Sequence, residues 1–163
     1  MKRRDGVDLM AIKNKQAKLP NLLSPAQIRL RAEFRPRWDD CLHGVAIVAN
    51  ISTDDIMARC RLRHRVIARQ VLMEVAHQIA ALSHASIGRK LGMDHTTILY
   101  GRAAISALIN AGDTAAAKML DAAIVQSLDV ARQRYEGERR LARLTIDDVA
   151  RQVYMDRRHR RAA

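Results

Sequence analysis

Asp94, His95, Thr96 and Thr97 stand consecutively between a glycine turn and the apolar pair Ile98-Leu99. A carboxylate, an imidazole and two hydroxyls side by side have little use in a segment that is only to be buried, so the quartet is expected to face something polar. The chemistry open to it is hydrogen-bond recognition. An Asp can accept from a cytosine amino group, a His can donate to or accept from a base edge, and a Thr can set its methyl on a thymine methyl while its hydroxyl bonds a phosphate. The competing reading is local: Asp94 caps a helix and the threonines are tolerated polar residues of its first turn. No nucleophile, base and acid fall at a spacing that supports catalysis, so an enzyme is the class favoured least, and no cofactor is expected.

A second group of residues could act with the quartet. Arginines at 59, 61, 63 and 65 alternate at period two, which would spread them around a helix, so Cys60 to His64 reads as an extended basic loop. An arginine on such a loop, Arg61 or Arg63, can enter the minor groove of a duplex. Arg69 and Gln70 then fall on the first exposed turns of the following helix, where a guanidinium and a helix N-terminus can both hold phosphate. Loop and quartet flank one apolar helix and together read as a clamp on two grooves.

The bulk charge agrees. The 163 residues carry 29 Lys plus Arg against 17 Asp plus Glu, a formal net charge of +12 and a pI near 10.8. A chain this basic attracts polyanions, nucleic acid first because neutralised phosphates release condensed counterions, and a membrane surface second. No apolar stretch approaches the roughly 18 residues of a membrane span, and the basic N-terminus lacks the apolar core of a secretory signal. Cys41 and Cys60 are too few for a disulfide framework. The expected location is cytoplasmic, on or near the nucleoid, with no membrane partner.

The elements that must position these residues are helical. Hydrophobic residues make up 48% and aromatics only 3%, and long Ala-, Leu- and Arg-rich stretches suit helices far better than strands. The chain is read as all-α. Residues 1–23 lack apolar periodicity and read as a basic arm. Ser24, Pro25 and Gln27 form a capping-box pattern for a helix that Arg35-Pro36 ends. A short helix is expected over about 39–49, and Ser52 with Asp55 caps another. Ile67, Val71, Val75, Ile79 and Leu82 trace one face of a central helix from about Arg65. A short helix through Ile87 and Leu91 stops at Gly92, and Asp94 caps the next, with Ile98, Ile105, Leu108 and Ile109 inward. Short helix, glycine turn, second helix with polar residues at its start is the pattern of a helix-turn-helix.

From Val45 to Ile109, the STDDI segment, the arginine loop, RQVLMEVAHQIA, SIGRKLG and above all DHTTILYG resemble the C-terminal DNA-binding domain of the bacterial chromosomal replication initiator DnaA. The resemblance implies that Arg61 enters the minor groove, that Arg69 and Gln70 hold phosphate, and that Asp94, His95, Thr96 and Thr97 read bases and the adjoining backbone in the major groove. Two departures stand out. The family has two glycines and an arginine before the Asp where this chain has only Gly92-Met93, so its target is expected to differ from the family's origin box. The chain also lacks a G-x-x-x-x-G-K-[ST] phosphate loop and is not expected to act as an ATP-driven initiator by itself.

The C-terminal region, 113–163, reads as a helical extension of a binding unit at 24–112. Ala111-Gly112-Asp113 marks the boundary, a long helix runs to about Tyr135, Gly137 closes it, and Thr145 with Asp148 starts a last helix that ends in a frayed basic tail. Its apolar stripes admit packing on the core, a homodimer hairpin, or docking of RNA polymerase or a replication protein. Arg132 to Arg143 read as added phosphate contacts or as a solvated face. Cys41, His43, Cys60 and His64 match no common zinc spacing, so no metal is expected. The function read from all this is sequence-specific binding of double-stranded DNA by a transcriptional regulator of phage, prophage or phage-derived origin. The alternatives are a replication modulator that competes for initiator boxes and an adaptor whose C-terminal helices recruit a partner.

Overall fold

The structure, a computed structural model, describes residues 23–162, and among these it is all-α. Seven helices follow in order: α1 (Pro25–Phe34), α2 (Trp38–Ala49), α3 (Thr53–Met57), α4 (Arg63–Gln78), α5 (His84–Leu91), α6 (His95–Asn110) and α7 (Thr114–Ala162). The arm read at the N-terminus lies outside the described residues except for Leu23, which is buried against the core.

Local chemistry sets most of the helix starts. Ser24 Oγ accepts from the Gln27 amide at 3.3 Å and Gln27 Oε1 accepts from the Ser24 amide at 2.7 Å, the reciprocal pair that satisfies two orphan donors. Ser52, Ser83 and Asp94 cap α3, α5 and α6 with single side-chain acceptors. α1 ends at Arg35, which takes a left-handed φ of 46° just before Pro36.

α4 is the axis of the fold. It packs against α2, α3, α5, α6 and α7, and is therefore buried all round from Val71 to Ala76 rather than along one face. Val71, Leu72, Val75, Ile87, Ile98 and Ile105 have no exposed surface, each burial worth about 1.5–3 kcal/mol. α4 begins at Arg63, not beyond His64 as the alternating arginines suggest, so only the few residues up to Leu62 are extended. Its first turn is exposed on most sides, and charge on every side costs it little there. Closest approaches are set by small residues: a Cβ at Gly44 of α2 would stand 2.7 Å from the backbone of Ser127 in α7, and one at Gly101 of α6 would collide with Met73 Sδ.

The C-terminal region departs from expectation. α7 runs unbroken through Gly137 and Thr145 to Ala162, about 70 Å at 1.5 Å per residue. Gly137 costs a helix only about 1 kcal/mol, and the Arg134–Glu138 ion pair at 3.2 Å bridges it. Thr145 does not cap a new start; its hydroxyl donates back to the Leu141 carbonyl at 3.0 Å. The first part of α7 joins the common core through Leu120, Ile124 and Leu128, each at most 3% exposed. Farther on, Leu141, Leu144, Ile146, Val149, Val153 and Tyr154 are all exposed.

Candidate nucleic-acid interface

α5, the turn and α6 make a tight corner. Gly92 ends α5 at φ 63°, a left-handed conformation that disfavours any side chain, and its amide donates to the Gly88 carbonyl. A Cβ at Gly88 would lie 2.6 Å from the Met93 carbonyl oxygen, so the corner closes only over a glycine. The chain then extends through Asp94 and enters α6.

The first turn of α6 holds both readings of the quartet at once. Asp94 Oδ1 accepts from the Thr96 amide at 2.8 Å and from the Thr96 hydroxyl at 2.6 Å, so these two residues form the cap. The two Thr96 hydrogen bonds hold the Asp94 carboxyl below its usual range, with nearby His95 adding to the effect. His95 Nδ1 stands 3.5 Å from Asp94 Oδ1, and its side chain is 65% exposed. Thr97 is exposed as well and makes no side-chain hydrogen bond among the described residues. Capping thus engages Asp94 and Thr96 without hiding them, and His95 and Thr97 are left with open hydrogen-bonding capacity at the helix start.

The four arginines of the loop and the α4 start divide in the same way. Arg59 Nη2 donates to the Gly92 carbonyl at 2.5 Å and ties the loop to the corner. Arg65 pairs with Asp55 at 2.8 Å. Arg61 and Arg63 are exposed and make neither hydrogen bond nor ion pair among the described residues. The loop therefore presents two unengaged guanidinium groups from a segment fastened to the turn that begins the helix of the quartet.

Arg69 is not where the sequence places it. It is 6% exposed, with Nε donating to the Ile56 carbonyl at 2.8 Å and Nη2 to the Ala58 carbonyl. The reason is tertiary: α3 and the start of the loop fold over this turn of α4, and the guanidinium satisfies their last carbonyls. Gln70, beside it, is half-buried close to Gly101 of α6.

Three further positions that no motif marks carry structure here: Glu74 on α4, His84 at the start of α5 and Arg102 on α6. Glu74 is fully buried and Arg102 Nε donates to it at 2.7 Å. The available signal was a carboxylate inside the apolar run VLMEVA, which has to find a cation. Elsewhere, Arg134 is engaged by Asp40 at 3.0 Å and by the Phe34 and Arg35 carbonyls, pinning α7 to α1 and α2, so it belongs neither to a phosphate-binding nor to a solvated face. Cys41 is buried, and desolvation pushes its thiol up to about 12, which makes it a poor metal ligand. Trp38 is core, with Lys90 over its ring, while Tyr100 of α6 is exposed. No described helix is long and apolar enough to cross a membrane.

Comparison with known proteins agrees with this geometry. Residues 39–105 match the family described as the bacterial DnaA protein helix-turn-helix. A curated relative, the chromosomal replication initiator protein DnaA of Nitrobacter hamburgensis, is 32% identical over an alignment 102 residues long that covers 58% of this chain and 22% of that protein. The chain thus spans about a fifth of the relative's length.

Proposed function

From the premise that residues 39–105 carry a helix-turn-helix of the bacterial DnaA kind, we propose that the protein binds double-stranded DNA and reads its sequence with the start of α6. The observation that carries this is the fastening of the loop to the corner by Arg59 and Gly92, which holds exposed Arg61 and Arg63 in a fixed relation to exposed His95 and Thr97. His95 and Thr97 meet base edges in the major groove, with Asp94 and Thr96 keeping that turn in shape and adding contacts of their own. Arg61 enters the minor groove with Arg63 beside it. Gln70 sets register on phosphate. Arg69 takes part chiefly through the loop it anchors, with its remaining nitrogen turned to phosphate. Binding is a non-catalytic function, and neither cofactor nor metal enters it.

The cellular use we assign is transcriptional regulation, in a phage, prophage or phage-derived gene cluster, by a cytoplasmic protein at the nucleoid. A second reading has its own support. The relative's name, chromosomal replication initiator, favours a modulator that occupies initiator boxes. The exposed apolar residues on the far part of α7 favour docking of RNA polymerase, a replication protein or a second copy there.

Paired variants test the division of labour. His95→Ala is expected to lose about 1–3 kcal/mol of preference among sequences. Arg63→Ala should weaken all duplexes alike and flatten the salt dependence by about one unit of slope. Titration of matched and scrambled duplexes at several salt concentrations measures both. Identical behaviour of the two variants would sink the proposal.

A further inference from the structure

Beside the proposed reading surface a polar cluster, anchored on one fully buried carboxylate, joins all three helices of the reading unit. Glu74, in the middle of α4, has no exposed surface. Arg102, eight residues beyond the Asp94 cap on α6, donates from Nε to Glu74 Oε2 at 2.7 Å and from Nη2 to Oε1 at 3.2 Å. Its third nitrogen, Nη1, donates to Nε2 of His84, the first residue of α5, at 2.6 Å. Gln78 Nε2 donates to Glu74 Oε1 at 2.6 Å. The His84 ring stacks on His77 at 5.1 Å and 16°, and His77 Nδ1 donates to the Leu82 carbonyl at 2.9 Å, which fixes the connection between α4 and α5.

These bonds differ in kind from the packing around them. At Gly101, the neighbouring residue, α6 meets Met73 with no room for a Cβ, so shape sets how close α6 comes to α4. Ile98, Gly101 and Ile105 turn one face of α6 to the core, but apolar packing of that sort supplies no directional bond. A planar guanidinium gripped by a carboxylate on one side and an imidazole nitrogen on another admits one orientation. The consequence lies at the far end of the helix. A rotation of about 15° moves a side-chain tip at a radius of roughly 6 Å by about 1.5 Å, whereas base reading tolerates errors of about 0.5 Å.

We infer that Glu74, Arg102 and His84 are positioning residues for sequence reading, a partly buried brace that sets the rotation of α6 and so the aim of His95 and Thr97, without touching DNA themselves. The inference rests on the proposed role of α6. Stability alone is a weak account of the cluster, because a buried ion pair can often be replaced by apolar residues of similar volume at no cost. Directional bonds supply what an apolar replacement cannot.

The experiment compares the wild-type chain, His95→Ala, Glu74→Met/Arg102→Met and Arg102→Lys. Each is titrated with a duplex selected by the wild type and with its scrambled counterpart, over a range of salt concentrations, after circular dichroism and thermal melting. The brace predicts that the double variant stays helical, binds scrambled duplex with wild-type affinity and salt slope, and loses about tenfold or more of its preference for the selected one. Arg102→Lys, which keeps the charge but not the fork, should lose preference in the same way; it decides the matter should the double variant fail to fold. Preserved discrimination in a folded variant overturns the brace while leaving the role of His95 intact. A reduced salt slope overturns it in favour of direct phosphate contact, and equal losses on both duplexes overturn it in favour of a structural role alone. A wild type that selects no duplex, or His95→Ala that discriminates normally, removes the reading on which the brace depends and overturns both.

Discussion

The front of the helix-turn-helix and the layer directly behind it are both rich in charge and use it in opposite ways. At the front, Arg61, Arg63 and Thr97 are exposed and unengaged among the described residues, and exposed His95 meets only the neighbouring Asp94 carboxylate, at 3.5 Å. By contrast Arg59, though exposed, and the more buried Arg69 and Arg102 are bound to a carbonyl, to two carbonyls, and to a carboxylate with an imidazole. The same guanidinium serves as a probe in one layer and as a fastener in the other. A net charge of +12 therefore favours attraction to a polyanion but does not say which cations would meet it. Engagement decides that.

The engaged cations are the more sensitive of the two groups. Glu74→Ala removes the partner of a mostly buried guanidinium and should cost about 3–5 kcal/mol in denaturant unfolding, because Arg102 is left without compensation. A loss within experimental error would place Arg102 in solvent and dissolve the distinction between the layers. Arg69→Ala should cost less, about 1–3 kcal/mol, by stranding the Ile56 carbonyl and weakening the hold on the loop. Hydrogen exchange at residues 56–62 is expected to rise more than elsewhere; a uniform rise would argue against a local fastener.

The smallest effect comes from protons. Burial, followed by the charge of Arg102 and by His77, lowers the His84 pKa below its ordinary 6.5, against an opposing pull from Glu74 and with a small further lowering by His95. Nε2 accepts from Arg102 only while the ring is neutral. The unfolded chain takes up the proton near 6.5 and the folded chain only at lower pH, so this contribution is complete above that value and declines as the pH falls below it. His84→Asn should flatten the stability profile on the acid side of 6.5. An unchanged slope would mean that the ring titrates freely.

The features legible in the sequence were those that local chemistry determines. Ser24, Ser52 and Asp94 announced their helices because a short side-chain oxygen has few better uses before an apolar run, and Gly92 announced its turn because a left-handed residue without a Cβ is the simplest stop. The helix-turn-helix followed from these alone. Arg69 and Gly137 misled for opposite reasons. Arg69 is buried by α3 and the loop, elements that reach it only through the tertiary fold, and no local pattern records them. Gly137 looks like a stop but carries a penalty too small to end a helix of strong formers already tied down by Arg134. Glu74 was readable as an anomaly in an apolar run, but its partner lies 28 residues away on another helix.

The central claim is that the start of α6 reads DNA sequence. Selection from a pool of random duplexes by the purified protein, near physiological salt and repeated with His95→Ala, tests it most directly. The account predicts an enriched motif with the wild type that weakens or vanishes with the variant, while total duplex binding changes little. Tight, salt-sensitive binding with no enrichment, or the same motif recovered by both proteins, would contradict it.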